Sequence, residues 1–232
     1  MASFDLPAAC ADESSRRSFL GGIAVTALSA TGAAILTESS ALASNENLPV
    51  ISASQQRART ARNFRDIRLH ENEHVAALVG ALGSSARPRP IFKNLRQGSI
   101  NEFLRTSQAL ENTGCAAYLG AAPAILSRQY LAVAGSIAFV EARHAGWLNT
   151  EVAARLTTNV LGMAPSFERG LAAADIAALA APFVESLNGG PPLTYSTTPS
   201  AANDIAILNF ALALEFLEQE YYNINVPVFI DN

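Results

Sequence analysis

The chain has 232 residues, half of them hydrophobic, with few aromatics and a formal net charge of −4. That length suits one domain plus an export segment, and the Ala-rich apolar composition suits packed helices rather than alternating strands. The mild negative charge lacks the basic footprint of nucleic-acid binding, so no nucleic-acid partner is expected.

The N-terminus reads as an address. Ser15-Arg16-Arg17-Ser18-Phe19-Leu20 precedes a weakly apolar run from Gly21 to Leu36 and the small-x-small pattern Ala41-Leu42-Ala43, an arrangement that resembles a twin-arginine export signal. Residues 1–43 are expected to be removed, placing the mature chain in a bacterial periplasm or outside the cell, or alternatively in a thylakoid lumen. The apolar run is short and contains Gly and Thr, so no stable membrane span is expected after cleavage. Cleavage also removes Cys10 and leaves Cys115 as a single thiol, which excludes an internal disulfide.

Residues 44–53 read as a linker, 54–225 as a bundle of helices and 226–232 as a tail. A first helix is expected from Ser54 to Leu82, stopped by Gly83, and a loop with Pro88 and Pro90 from Ser84 to Gln97. A second helix should run from Ile100 to Tyr118, before Gly120 and Pro123. A third should run from Ser127 to Leu161, with a break near Asn149. Residues 162–202 form a long connector carrying one minor helix at Ala173–Leu187. A last helix is expected from Ile205 to Asn223, capped by Asn203 or Asp204, with Pro227 after its end. No strand is expected. The arginines Arg57, Arg59, Arg62, Arg65 and Arg68 read as a solvated face of the first helix.

Two patterns occur twice within these helices. Glu71-Asn72-Glu73-His74 and Glu141-Ala142-Arg143-His144 both contain Glu-x-x-His, while Leu104…Glu111…Tyr118 and Leu208…Glu215…Tyr222 both read Leu-x6-Glu-x6-Tyr. Two of the three histidines lie three residues after a Glu; with 14 Glu in the chain, each coincidence has a chance of about 6%. Helical spacing puts Ile67, Glu71, His74 and Leu78 on one face, and Ile137, Glu141, His144 and Leu148 on another. Each acid is thus flanked by core residues.

Four carboxylates in an apolar interior are costly unless they are compensated. Two divalent cations balance four negative charges, and oxygen plus imidazole donors suit Fe or Mn. The expected metal ligands are Glu71, His74, Glu111, Glu141, His144 and Glu215. Tyr118 and Tyr222 either donate hydrogen bonds to the ligating carboxylates or are ordinary bundle aromatics. Cys115 and Gln219, one turn after Glu111 and Glu215, either support the ligands or fill the core. His70 reads as a rim residue off the ligand face, and Glu73, Glu218 and Glu220 as solvated.

At Leu69-His-Glu-Asn-Glu-His-Val75, Leu110-Glu-Asn-Thr-Gly-Cys-Ala-Ala-Tyr-Leu-Gly-Ala-Ala-Pro123, Val140-Glu-Ala-Arg-His-Ala145 and Ile207-Leu-Asn-Phe-Ala-Leu-Ala-Leu-Glu-Phe-Leu-Glu-Gln-Glu-Tyr221, the chain resembles the ferritin-like superfamily, and within it the desiccation-related proteins of plants and bacteria. The resemblance implies an all-α four-helix bundle with a dinuclear centre, Glu71 and Glu141 bridging and Glu111, Glu215, His74 and His144 terminal. The family's helix order places the segment like Ile207–Tyr222 first. Here it comes last, which implies a circular permutation and leaves room for a homodimer that swaps its last helix. The implied function is an exported Fe or Mn protein that handles peroxide or oxygen species under stress, with oxidase, peroxidase or catalase chemistry. The alternative is a non-catalytic stress-associated structural protein.

Overall fold

The computed structural model describes residues 52–231. The expected signal segment and nearly all of the linker before Ala53 lie outside the described residues. The chain forms α1 (Ala53–Leu82), β1 (Ile91–Phe92), α2 (Ile100–Ala121), α3 (Arg128–Glu151), α4 (Ala173–Ala180), β2 (Val184–Ser186) and α5 (Ala201–Phe229). It is an all-α bundle of four long helices with one minor helix. Among the described residues no helix is long and apolar enough to cross a membrane.

Local chemistry sets the ends of these helices. Leu82 gives way to Gly83 at φ +55, a left-handed position that suits glycine. Ser99, Ser127 and Ser200 cap α2, α3 and α5, each hydroxyl accepting from a backbone N–H three residues on. The start of α5 is therefore capped by Ser200 and not by the expected Asn203 or Asp204. Those two tie α5 to the α2–α3 turn: Asp204 accepts from the N–H groups of Leu126 and Ser127 at 2.7 and 2.8 Å, and Asn203 donates to the Ala124 and Ser196 carbonyls.

Four further expectations are corrected. Helix α3 stops at Glu151, ten residues short of Leu161. The Asn149 side chain reaches past the break to the carbonyls of Leu156 and Thr158 at 3.0 and 2.7 Å, and Ala153 takes φ +59, so the chain folds back. The minor helix gives way after Ala180 to a turn containing Pro182, which has no N–H to continue it. The strands β1 and β2 then pair antiparallel, Ile91 with Ser186 and Phe92 with Val184. Pro227 lies within the last turn of α5 rather than beyond it.

Helix α1 packs chiefly on α5, and α2 on α3. Two apolar clusters fill the interior. One gathers Phe64, Ile67, Phe103, Leu148, Tyr221 and Val226; the other gathers Leu78, Leu82, Ala121, Ile137, Leu208 and Leu212. Helices α1 and α2 run from the first cluster to the second, and α3 and α5 run back. Both the α1–α2 segment and the α3–α5 connector must therefore cross the length of the bundle. Buried Arg87 secures the first crossing, its guanidinium donating to the carbonyls of Asn209 and Pro191.

Candidate metal centre

Between the two apolar clusters lies a polar layer. Glu71 and His74 sit one turn apart on α1 between buried Ile67 and Leu78, and Glu141 and His144 sit likewise on α3 between buried Ile137 and Leu148. The three-residue spacing puts each acid and imidazole on the same helix face. Glu111 enters from α2 and Glu215 from α5. All four carboxylates are at most 1% exposed.

The six expected side chains converge. Nδ1 of His74 lies 3.0 Å from Glu71 Oε2, 3.2 Å from Glu141 Oε1 and 3.3 Å from Glu215 Oε2. Nδ1 of His144 lies 3.0 Å from Glu111 Oε2 and 3.2 Å from Glu71 Oε1. One donor atom each from Glu71, Glu111, Glu141 and His144 falls within 4.8 Å of the others, and the same holds for Glu71, His74, Glu141 and Glu215. The two tetrads share Glu71 and Glu141.

Burial and mutual repulsion set the charge state. Burial and then the neighbouring carboxylates of Glu71, Glu111 and Glu215 push Glu141 well above the ordinary carboxylate range. Burial pushes Glu215 up to about 7, against the opposing contacts of His74 and Tyr118. Burial acts to raise Glu71 as well, but the His144 and His74 rings outweigh it and hold that carboxyl at about 2. Burial would lower both imidazoles; the carboxylates around them prevail, raising His144 to about 11 and His74 higher still.

The donor set fits divalent cations. Glu71 Oε1, both oxygens of Glu141 and Glu215 Oε2 are buried without a hydrogen-bond partner. Orphaned acceptors of this kind are expensive. Several hard oxygens with one imidazole per tetrad form a first-row transition-metal donor set.

The surrounding residues divide. The Tyr118 hydroxyl donates to Glu215 Oε1 at 2.5 Å, and that of Tyr222 donates to Glu111 Oε1 at 2.6 Å, so each non-shared carboxylate is held by one phenol. Cys115 is buried and makes no hydrogen bond among the described residues; burial and the charges of Glu141 and Glu111 push its thiol up. Gln219 turns away from the carboxylates, donating to Asn72 Oδ1 and accepting from Arg89.

Three residues near the centre depart from their sequence reading or were missed by it. His70, read as a rim residue, is half-buried and places Nδ1 2.9 Å from His144 Nε2 with the two rings nearly coplanar. Glu218, expected in solvent, is 3% exposed, and burial followed by the charges of Glu141, Glu111 and Glu71 pushes its carboxyl far up. The missed signal was α5 itself, whose middle from Ile205 to Leu217 is almost wholly apolar and therefore buried on nearly every side. Gly114 faces Glu141: a Cβ there would stand 2.6 Å from Glu141 Oε2, so only glycine leaves room for that carboxylate.

The family model for a ferritin-like domain matches residues 25–154. No curated protein and no solved structure matches the chain. The matched span takes in all of α1 and α2 and all of α3, hence five of the six converging side chains, while Glu215 on α5 lies beyond it. With more than half its length matched and a buried carboxylate–imidazole layer across an all-α bundle, the chain belongs to the ferritin-like domain family.

Proposed function

We propose that this is a dinuclear transition-metal protein, carrying Fe or Mn, that handles peroxide or oxygen species. The observation that carries the reading is the pair of four-residue donor sets sharing Glu71 and Glu141. Glu71 and Glu141 would be shared between the two metal positions, with Glu111 and His144 completing one and Glu215 and His74 the other. When bound, the metal pair supplies Lewis acidity and electron exchange toward an O–O bond. The chain's own residues supply the rest. Tyr222 and Tyr118 fix the terminal carboxylates, and the apolar clusters close the layer at its two ends.

The finer parts of the reading rest on sequence. Helix order Glu-x-x-His, Glu, Glu-x-x-His, Glu supports a circular permutation of the ferritin-like arrangement, and both long crossings are compatible with it. The phrases around Glu71, Glu111, Glu141 and Glu215 support a relation to desiccation-related proteins and a stress role. The Arg16-Arg17 segment supports export to a periplasm, the exterior or a thylakoid lumen.

Metal analysis and an absorption spectrum of the purified protein test the core of this. The expected outcome is close to two transition metals per chain after reconstitution; fewer than one refutes it. Peroxide turnover that disappears in Glu141→Ala supports the catalytic part. A fully loaded protein without turnover favours the non-catalytic stress-associated role.

A further inference from the structure

We propose that His70 orients His144 and makes the Glu111–His144 position the first to take metal, an inference that rests on the two-metal reading above. His144 turns Nδ1 toward Glu111 and Glu71 and Nε2 toward His70 Nδ1, 2.9 Å away. The two rings lie edge to edge and nearly coplanar, with centroids 5.2 Å apart and planes only 4° from parallel. For Nδ1 to offer its lone pair to a cation, the ring hydrogen must sit on Nε2 and be donated to His70. His70 thereby holds the ring angle before any ion arrives, and it keeps the Nε2 hydrogen in place when a cation displaces the one on Nδ1.

The other half of the centre has no such device. The residue before Glu71 is His70, while the residue before Glu141 is Val140, which has no acceptor. The three close contacts of His74 with carboxylates all involve Nδ1, and its outer nitrogen meets no hydrogen-bond partner among the described residues. The repeated motif is therefore chemically unequal at this one place. A solvent-open cleft of about 180 Å3, bordered by Asp66, His70, Arg143, His144 and Trp147, reaches the His144 ring. The lining carries one acid, Asp66, and one cation, Arg143, beside the held imidazole of His144. Pre-organisation lowers the ordering cost of binding, so the position behind this cleft should fill first.

The test is a Co(II) titration of the full-length protein followed by ligand-field absorption, with proton NMR of the loaded forms. The wild-type protein should load in two resolved steps. His70→Val, which copies the other half, should weaken the tighter step by about 10- to 100-fold and leave the weaker one in place. His70→Gln keeps an acceptor and should recover most of the loss. The exchangeable N–H resonance of the ligated His144 should be visible in wild type and His70→Gln and lost to solvent exchange in His70→Val. A His70→Val protein with wild-type constants overturns the inference while leaving two-metal binding intact. His70→Gln losing as much as His70→Val overturns it too, since bulk rather than an acceptor would then matter. A wild-type chain that takes up no cobalt overturns the two-metal reading and this inference together.

Discussion

Glu141 carries the sharpest conflict in the molecule. Neither of its oxygens has a hydrogen-bond partner, and it sits among three other buried acids. Relief of that conflict should have opposite signs with and without metal. In metal-free protein, Glu141→Gln should stabilise the fold by about 1–3 kcal/mol, because an uncompensated buried acid is replaced by an isosteric neutral group. The same change removes a shared donor, so metal content should fall below two per chain. Urea unfolding in chelator alongside metal analysis checks both, and a substitution that destabilised the metal-free form would contradict the electrostatic account. Gly114 is a second test at this scale. Glycine to alanine inside a helix gains up to about 1 kcal/mol, but here the new methyl would meet Glu141 Oε2 at 2.6 Å. The carboxylate end can swing aside, so Gly114→Ala should fold with little net change in stability. Its metal affinity should drop at least about tenfold, since the donor is displaced. Calorimetric titration gives that ratio directly.

At the scale of elements, α5 behaves unlike the other long helices. It is buried on nearly every side: α1 covers it, Arg87 binds its Asn209, Phe103 accepts from its Tyr221, and Leu95 accepts from its Asn225. Its start is tied down by Asp204, 2% exposed, holding two backbone N–H groups of the α2–α3 turn. Asp204→Ala would orphan both donors, and bonds to a charged acceptor are worth about 1.5–3 kcal/mol each. A loss of about 2–4 kcal/mol in urea unfolding is expected; a change under about 0.5 kcal/mol would mean the tie is idle. The sequence revealed the four long helices and the six converging residues because each rests on local periodicity, which the chain carries in itself. Non-local contacts were not legible. The β1–β2 pair joins residues more than ninety positions apart, and the end of α3 depends on Asn149 reaching past the break. Glu218 looked solvated because an amphipathic α5 was assumed, although thirteen positions from Ile205 to Leu217 hold only two polar side chains, Asn209 and Glu215. His70 escaped for a different reason: its contact is across helices, to His144, and no spacing within α1 encodes it.

The whole molecule should respond to pH with a sign that metal reverses. In metal-free protein the folded pKa of Glu215 is raised to about 7 by burial, and those of Glu141 and Glu218 are raised as well. A raised carboxyl contributes stability that is complete below its unfolded pKa and lost as pH climbs through the folded value. For Glu215 alone, a rise from 4.5 to about 7 corresponds to about 3 kcal/mol between pH 4 and pH 8. The raised imidazoles add a contribution that is complete below their ordinary pKa of 6.5 and declines progressively above it, for His144 until about pH 11. Glu71 acts oppositely: its lowered pKa stabilises above the ordinary range and fails as pH falls toward 2. The metal-free protein should therefore be most stable near pH 4–5, and its Tm should fall by roughly 6–12 °C by pH 8. Cations compete with those same protons, so metal affinity should rise across this interval and uptake near pH 7 should release protons. The stabilisation conferred by metal should consequently widen from pH 5 to pH 8. Melting curves at both pH values, with and without Mn(II), together with calorimetry in two buffers of different ionisation heat, measure the two effects separately. A metal-free protein that gained stability between pH 5 and pH 8 would mean that the acids of this layer are not buried together, and the centre would lose its physical basis.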